Sequence, residues 1–306
     1  MIEDYLRELA DPEKPVVSAK LVNLSNLRPE ELGYFRRVWR NAEQSRRRQV
    51  VSQLIDLAED NVELNFDALF LASLEDADAE VRRRALRGLW EYEGRDLIPG
   101  LISILEGDAD PEVRGEAALS LGRFVLRAEF DELRAADAAE VEGALRQGVG
   151  RKEEAVDVRA RAVESLGARS QGWARAIIEE AYASPEHRLR VSAVHAMGRS
   201  CDPRWLSHLS NELSSPDAEM RYEAAGACGA IADESAVAHL APLLEDDDAE
   251  VQEAAIEALG KIGGDEAREV LEGYRSDPEP RVLEAVEAAL AELDLGEDPL
   301  GFELHG

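Results

Sequence analysis

Two cysteines in 306 residues, Cys201 and Cys228, exclude a disulfide framework, and no CxxC pair marks a metal site. Lysine is nearly missing: four lysines accompany 31 arginines, a bias that reads as genomic base composition rather than chemistry. No run approaches the roughly 20 apolar residues that a membrane span needs. The opening residues, MIEDYLRELADPEK, are acidic where a signal peptide is basic and then apolar. A reducing cytoplasm is the expected compartment. No phosphate-cradling glycine loop is present, because GKIGG (Gly260 to Gly264) reads as a helix end and turn. Local spacing suggests no Ser-His-Asp or Cys-His arrangement.

Positive charge is also scarce. Against 65 Asp and Glu stand 35 Lys and Arg, a formal net charge of -30. Such a charge repels nucleic-acid backbones and anionic membranes, favours solubility and attracts basic partners. Nucleic acid and membrane are therefore not expected as partners; a protein or peptide with a basic surface is. The imbalance is uneven. Residues 1–90 carry 14 basic and 17 acidic side chains, whereas residues 209–306 carry 5 and 26. The two ends should present different fields.

What the chain does have is a repeat. MRYEAAGACG (Met220 to Gly229) recurs as LRVSAVHAMG (Leu189 to Gly198), VQEAAIEALG (Val251 to Gly260), VRGEAALSLG (Val113 to Gly122) and VRARAVESLG (Val158 to Gly167). Gly167, Gly198, Gly229 and Gly260 are each 31 residues apart. A period of this size means stacked supersecondary units that share a continuous core. Position one (Val81, Val113, Val158, Leu189, Met220, Val251) and position nine (Leu89, Leu121, Leu166, Met197, Cys228, Leu259) of this helix should face the core. Alanine at position five and glycine at position ten permit close helix approach. Interior glycine costs about 1 kcal/mol relative to alanine, so its recurrence at one phase implies a packing need. Trp90 holds the glycine phase in its own unit and requires a different neighbour.

A first helix precedes each of these, visible as LNFDALFLASL (Leu64 to Leu74), LIPGLISIL (Leu97 to Leu105), WARAIIEEAY (Trp173 to Tyr182), WLSHLSNEL (Trp205 to Leu213) and AVAHLAPLL (Ala236 to Leu244). Asp110-Pro111, Ser184-Pro185, Ser215-Pro216 and Asp277-Pro278 are expected to cap the second helices, with proline at the first helical position. Gly122 and Gly167 are 45 residues apart, and the excess, around Phe124 to Asp137 and Gly150 to Asp157, is expected as a surface loop. Before the array, a helix over Ile2 to Leu9, a second from Pro29 to Trp39 and a third over Asn41 to Ala58 form an irregular cap. The expected domains are a helical cap (1–60), the array (61–293) and a flexible acidic tail (294–306) with Leu300, Phe302 and Leu304 set among acids.

DADAEVRRRALRGL (Asp76 to Leu89) and DADPEVRGEAALSLG (Asp108 to Gly122) follow D-x-E-V-R-x-x-A-x-x-x-L-G. This pattern resembles HEAT repeats of the phycobilisome-lyase type over about residues 61–293, and LSNLRPEELGYFRRVW (Leu24 to Trp39) resembles a bacterial HEAT-repeat group that implies no activity. The expected fold is all-α: an α-solenoid, a right-handed superhelix of about seven to eight HEAT-like helical hairpins. The resemblance implies that Arg82, Arg114, Arg159, Arg190 and Arg221 tie one repeat to the next; Gln252 breaks that series. HEAT-repeat deoxyhypusine hydroxylases hold iron through His-Glu dipeptides, and the equivalent dipeptide here is Tyr222-Glu223. HEAT-like DNA glycosylases have basic concave faces, which a chain at -30 lacks.

His208 and His239 share a phase 31 residues apart but lack the further ligands a zinc site needs. His195 forms an i, i+4, i+8 stripe with Val191 and Arg199, and Tyr222 and Glu223 follow in the next unit. If concave, these make an aromatic, cationic and imidazole patch suited to anchoring a partner, since Tyr and Arg favour hot spots. Arg83, Arg87, Trp90, Tyr92 and Arg123 make a comparable patch nearer the N-terminus. The expected function is a non-enzymatic scaffold without cofactor or metal, binding a protein or peptide on its concave wall. The alternative is a tetrapyrrole-like small molecule, held or processed lyase-fashion at His195, Arg199 and Tyr222. An arginine-rich nucleic-acid site over Arg36 to Arg48 is a third, disfavoured, reading.

Overall fold

The computed structural model describes residues 2–275 and 279–297, and every regular element among them is helical. The chain enters through α1 (Ile2–Ala10), α2 (Ser18–Leu21), α3 (Pro29–Trp39) and α4 (Gln44–Asp60). Seven pairs follow: α5 (Asp67–Ser73) with α6 (Ala79–Gly88), α7 (Ile98–Gly107) with α8 (Pro111–Glu129), α9 (Ala135–Gly150) with α10 (Val156–Leu166), and α11 (Gly172–Tyr182) with α12 (His187–Arg199). The last three are α13 (Leu206–Glu212) with α14 (Ala218–Ile231), α15 (Val237–Leu240) with α16 (Ala249–Ile262), and α17 (Gly264–Gly273) with α18 (Pro280–Glu297). Each even-numbered helix from α4 onward packs on the next even-numbered one, and each odd-numbered helix from α5 lies against its own partner. The result is the two-layered α-solenoid that the 31-residue period requires.

The core follows the repeat phase. Positions one, five and nine of all six units are buried, from Val81, Ala85 and Leu89 to Val251, Ala255 and Leu259. The glycine at position ten meets the next helix backbone. A Cβ on Gly167, Gly198 or Gly229 would stand 2.8, 2.7 or 2.8 Å from the Cα of Ala196, Ala227 or Ala258. In the odd-numbered layer, by contrast, only α7 and α9 pack extensively on one another among successive helices from α5 onward. Helices spaced more closely in one layer than in the other bend the stack toward the tighter layer. The even-numbered helices therefore form the inner wall.

Arginine ties this layer lengthwise. Arg82 forks onto the Asp108 carboxylate (2.8 and 2.7 Å), as Arg221 does onto Asp246 (2.7 and 2.8 Å), and Arg114 reaches Glu154 at 2.6 Å. Each also donates to a carbonyl of its own loop: Asp76, Ser215 and Asp108 respectively. Arg47 makes an earlier rung onto Asp76. Arg159 reaches a backbone carbonyl, and Arg190 two carbonyls and the His187 ring; neither meets a carboxylate. The residues placed to receive them are Ser184 and Ser215, which stand where other units have aspartate. Gln252 still bridges, donating to the Leu244 carbonyl and accepting from Arg281.

The structure corrects several expectations. Asp110 caps α8 with Pro111 at its first position, but Ser184 and Ser215 are not caps. Glu186 and Asp217 hold the cap positions, and the serine hydroxyls accept the N–H of those residues. The prolines thus precede the caps, which the repeat phase dictates: the cap lies three residues before position one. Asp277-Pro278 and the tail residues Leu300, Phe302 and Leu304 lie outside the described residues. The excess around Phe124 to Asp137 is mostly helix: it lengthens α8 and α9, with Phe124, Val125 and Ala128 buried, and leaves residues 130–134 between them, while residues 151–155 in the second stretch form the connection from α9 to α10. Trp90 does not pack as a helical residue, because α6 stops at Gly88 and puts it in the turn beyond, 62% exposed. AVAHLAPLL is short α15 followed by a 3-10 turn, since Pro242 has no N–H to continue the ladder. At the N-terminus, the Glu31 carboxylate accepts the Arg28 N–H (3.0 Å) and starts α3 where expected, while α4 begins three residues after Asn41.

Candidate functional site

Helical geometry decides what the inner wall displays. With positions one, five and nine turned to the core, positions seven and eleven of α12, α14 and α16 point away from it. Together with position three of α14 they open on a cavity of about 340 Å3. Its floor is made of small residues, among them Gly198, Gly226, Ala227, Ala230, Ala254 and Ala258, and its walls of His195, Arg199, Tyr222, Glu223, Glu257 and Lys261. The small floor follows from the close packing: Ala227 and Ala258 are the residues that Gly198 and Gly229 admit.

Polar groups on these walls are mostly paired. His195 Nδ1 lies 3.1 Å from Glu223 Oε2. A carboxylate accepts, so the proton of this bond is on Nδ1. Lys261 pairs with Glu257 at 2.6 Å. Tyr222 stands 44% exposed over the floor. Arg199 is an exposed residue on the cavity wall and has no bonded carboxylate among the described residues. Surrounding protein strips water from its guanidinium and pulls it below the usual arginine range, against the attraction of Glu164. Glu164 is itself buried and taken by Arg188 (2.9 Å) and Ser192 (2.6 Å).

The expected residues are thus divided. His195, Arg199, Tyr222 and Glu223 come together on one cavity, whereas Val191, counted in their stripe, is 1% exposed and belongs to the core. Arg83 is spent on Glu80 (2.6 Å) and Glu112 (3.3 Å), Arg87 on Glu116 (2.9 Å), and Tyr92 on Asp96. Arg123 donates to the Trp90 carbonyl (2.9 Å), lies over the Phe124 ring, and is pulled down to about 10 by burial. This second patch braces α6 against α8, with Trp90 exposed at its edge. Sequence reasoning missed Glu257 and Lys261, although positions seven and eleven of α16 name them.

The histidines expected at one phase part company: His208 sits edge-on between Tyr182 and Trp205, and His239 is exposed. His187, Asp217 and Glu219 are the one group among the described residues whose ligand atoms gather closely enough for an ion. His187 Nε2 lies 3.3 Å from Asp217 and 3.0 Å from Glu219, while Arg190 approaches Nδ1 at 3.4 Å. Arginine only donates, so Nδ1 accepts and Nε2 carries the proton toward the carboxylates. That tautomer makes a bridge between repeats rather than a ligand.

Two layers of paired helices, a 31-residue period and an inner wall of glycine-to-backbone contacts define a helical-repeat solenoid. The family profile for HEAT repeats matches residues 67–151 and 206–291, more than half of the chain, and the chain belongs to the HEAT-repeat proteins. No curated protein matches it. Among solved structures it is similar to the complex of CpcE and CpcF of phycocyanin lyase from Nostoc sp. PCC7120, at 21% identity over 93% of this chain and 97% of that one, with a TM-score of 0.53. It is also similar to YibA of Escherichia coli (19% identity, 82% and 98% covered, TM-score 0.46) and to human deoxyhypusine hydroxylase (19%, 96% and 96%, 0.32). At 21% identity the likeness to the lyase complex shows the fold alone. No helix among the described residues is long and apolar enough to cross a membrane.

Proposed function

We propose that the protein is a non-enzymatic scaffold that holds a protein or peptide segment along its inner wall, with the cavity over α12, α14 and α16 as the anchor point. Residues 1–60 cap the array of residues 61–293. The carrying observation is the half-exposed Tyr222 above a floor of glycine and alanine: a large, stiff side chain beside room for another. Aromatic residues flanked by paired charges are where binding energy concentrates. The acid-rich C-terminal half supplies a field that draws a basic partner, screened within about 10 Å at ordinary salt.

The test is crosslinking of the intact protein in its native cell, with mass spectrometry locating the contacts. Crosslinks are expected at residues 195–261, weakened at least about tenfold by Tyr222→Ala, the size of a 1.4 kcal/mol loss. No partner at low or moderate salt, or one indifferent to Tyr222→Ala, sinks the proposal. Saturable binding of biliverdin that Tyr222→Ala abolishes would move the reading to an open-chain tetrapyrrole.

A further inference from the structure

One cation on the walls of the anchor cavity stands apart. Glu223 is hydrogen-bonded to His195 and Glu257 to Lys261, which leaves Arg199 as the cation on these walls with no bonded carboxylate among the described residues. Its flanks, Gly198 on its own helix and Ala230 on the next, are too small to cover the guanidinium, so the opening beside it is built by sequence. Position eleven of the repeat shows how. It is Arg123 in α8, Ala168 in α10, Arg199 in α12, Ala230 in α14 and Lys261 in α16: a cation in every second unit, with alanine between. Arg123 is used on the Trp90 carbonyl and Lys261 on Glu257. Arg199 alone of the three has no such use.

From this geometry we infer that Arg199 is the register-setting contact of the inner wall, taking the side-chain carboxylate of one Asp or Glu within an otherwise basic segment of the partner. The inference rests on the proposed function. Two parts of the molecule then act at different range. The acidic body draws the lysines and arginines of the segment from a distance without fixing their position. Arg199 presents a planar fork that matches a carboxylate in two parallel hydrogen bonds, which fixes position. Glu164, the carboxylate whose field reaches it, is already bonded to Arg188 and Ser192. A carboxylate arriving at Arg199 therefore displaces no existing partner. Tyr222, on the next helix of the wall, lines the same cavity.

Three heptapeptides of lysine and glycine test this on the full chain by fluorescence anisotropy. The first is blocked at both ends with one central aspartate, the second has asparagine in its place, and the third has asparagine and a free C-terminal carboxylate. The aspartate peptide is expected to bind about tenfold more tightly than the asparagine peptide, a 1.4 kcal/mol difference. Arg199→Gln should erase that ratio while leaving the weaker, salt-sensitive binding of both, and Arg199→Lys should restore part of it. Equal binding of the first two peptides to the wild-type protein overturns the inference and leaves the scaffold reading standing. Preference for the third peptide overturns it in favour of a chain terminus. If none of the three binds, the scaffold reading fails and this inference with it.

Discussion

Gly198 and Ala227 are in backbone contact: a methyl group on Gly198 would lie 2.7 Å from the Cα of Ala227 and 2.9 Å from its Cβ. The two residues are 29 positions apart, and the same separation joins Gly167 to Ala196, Gly229 to Ala258 and Gly260 to Ala289. Replacing Gly198 by alanine should therefore cost stability, although alanine is the better helix former. We expect a loss of about 1–3 kcal/mol from the forced shift of α12 against α14. Gly143→Ala, in α9 with open space around it, should instead gain up to about 1 kcal/mol. Urea denaturation of both variants checks the pair; equal effects would mean that the close approach carries no weight.

The missing rungs of the arginine ladder can be rebuilt. Arg221 forks onto Asp246, which also accepts the N–H of Asp248 (2.8 Å). Ser215 holds the corresponding place one unit earlier, where Arg190 finds no carboxylate. Ser215→Asp should supply one and raise stability by about 0.5–1.5 kcal/mol, the net value of a hydrogen-bonded pair. Arg221→Ala should cost more than that, because it leaves Asp246 largely buried and unpaired. A thermal melt in which Ser215→Asp is neutral would show that the ladder fixes geometry without adding stability.

Acid should loosen the molecule. Hydrogen bonds from Arg48, with help from Gln44 and the Val81 N–H, hold the Asp78 carboxyl well below the usual carboxylate range, and those from Arg221 lower Asp246. A folded-state pKa depressed below the unfolded value of about 3.9 gives stability that is complete above that pH and drains away as pH falls through the folded value. The melting temperature should be flat from about pH 5 to 7 with respect to these groups and decline below about pH 4. Asp246→Asn should be less stable at neutral pH and show a shallower acid decline. A decline of wild-type slope in that variant would mean other carboxylates govern it.

Positive φ recurs at one phase of the repeat on three different residues. Cys201, Ala232 and Gly263 are each 31 residues apart, with φ of 48°, 54° and 71°. Ala232 is left-handed, with ψ 44°, a region only glycine takes without strain, whereas Gly263 has ψ −165°. Ala232, which ends α14 there, should be improved by glycine by about 1 kcal/mol, the cost of a left-handed non-glycine residue. Hydrogen exchange at the end of α14 should slow in Ala232→Gly; faster exchange would mean that the added chain freedom outweighs the relief.

The fold was legible because its determinants repeat. Val81 through Val251 and the glycines at position ten state the period, the core face and the close contact in one line of sequence. What stayed hidden depended on phase or on distance. Ser184-Pro185 looks like a cap and a first helical residue, and only the count back from Leu189 shows that Glu186 holds the cap. The excess residues after Gly122 looked like a loop because solenoid insertions usually are, yet Phe124, Val125 and Ala128 continue the apolar spacing of α8. In the anchor cavity His195 and Tyr222 were visible as large groups at one phase. Its floor was invisible as a site because glycine and alanine signal packing, not recognition. That Arg83 and Arg87 would be spent on Glu112 and Glu116 required knowing which helices are neighbours.

The 29-residue reach of the glycine contacts also governs how the chain assembles and yields. Neighbour-only wiring lets folding start at any brick and spread by zippering, with no late closure between far ends. Tension applied at the termini would open such a stack one brick at a time, and a partner seated across α12 to α16 would act as a clamp on three of them.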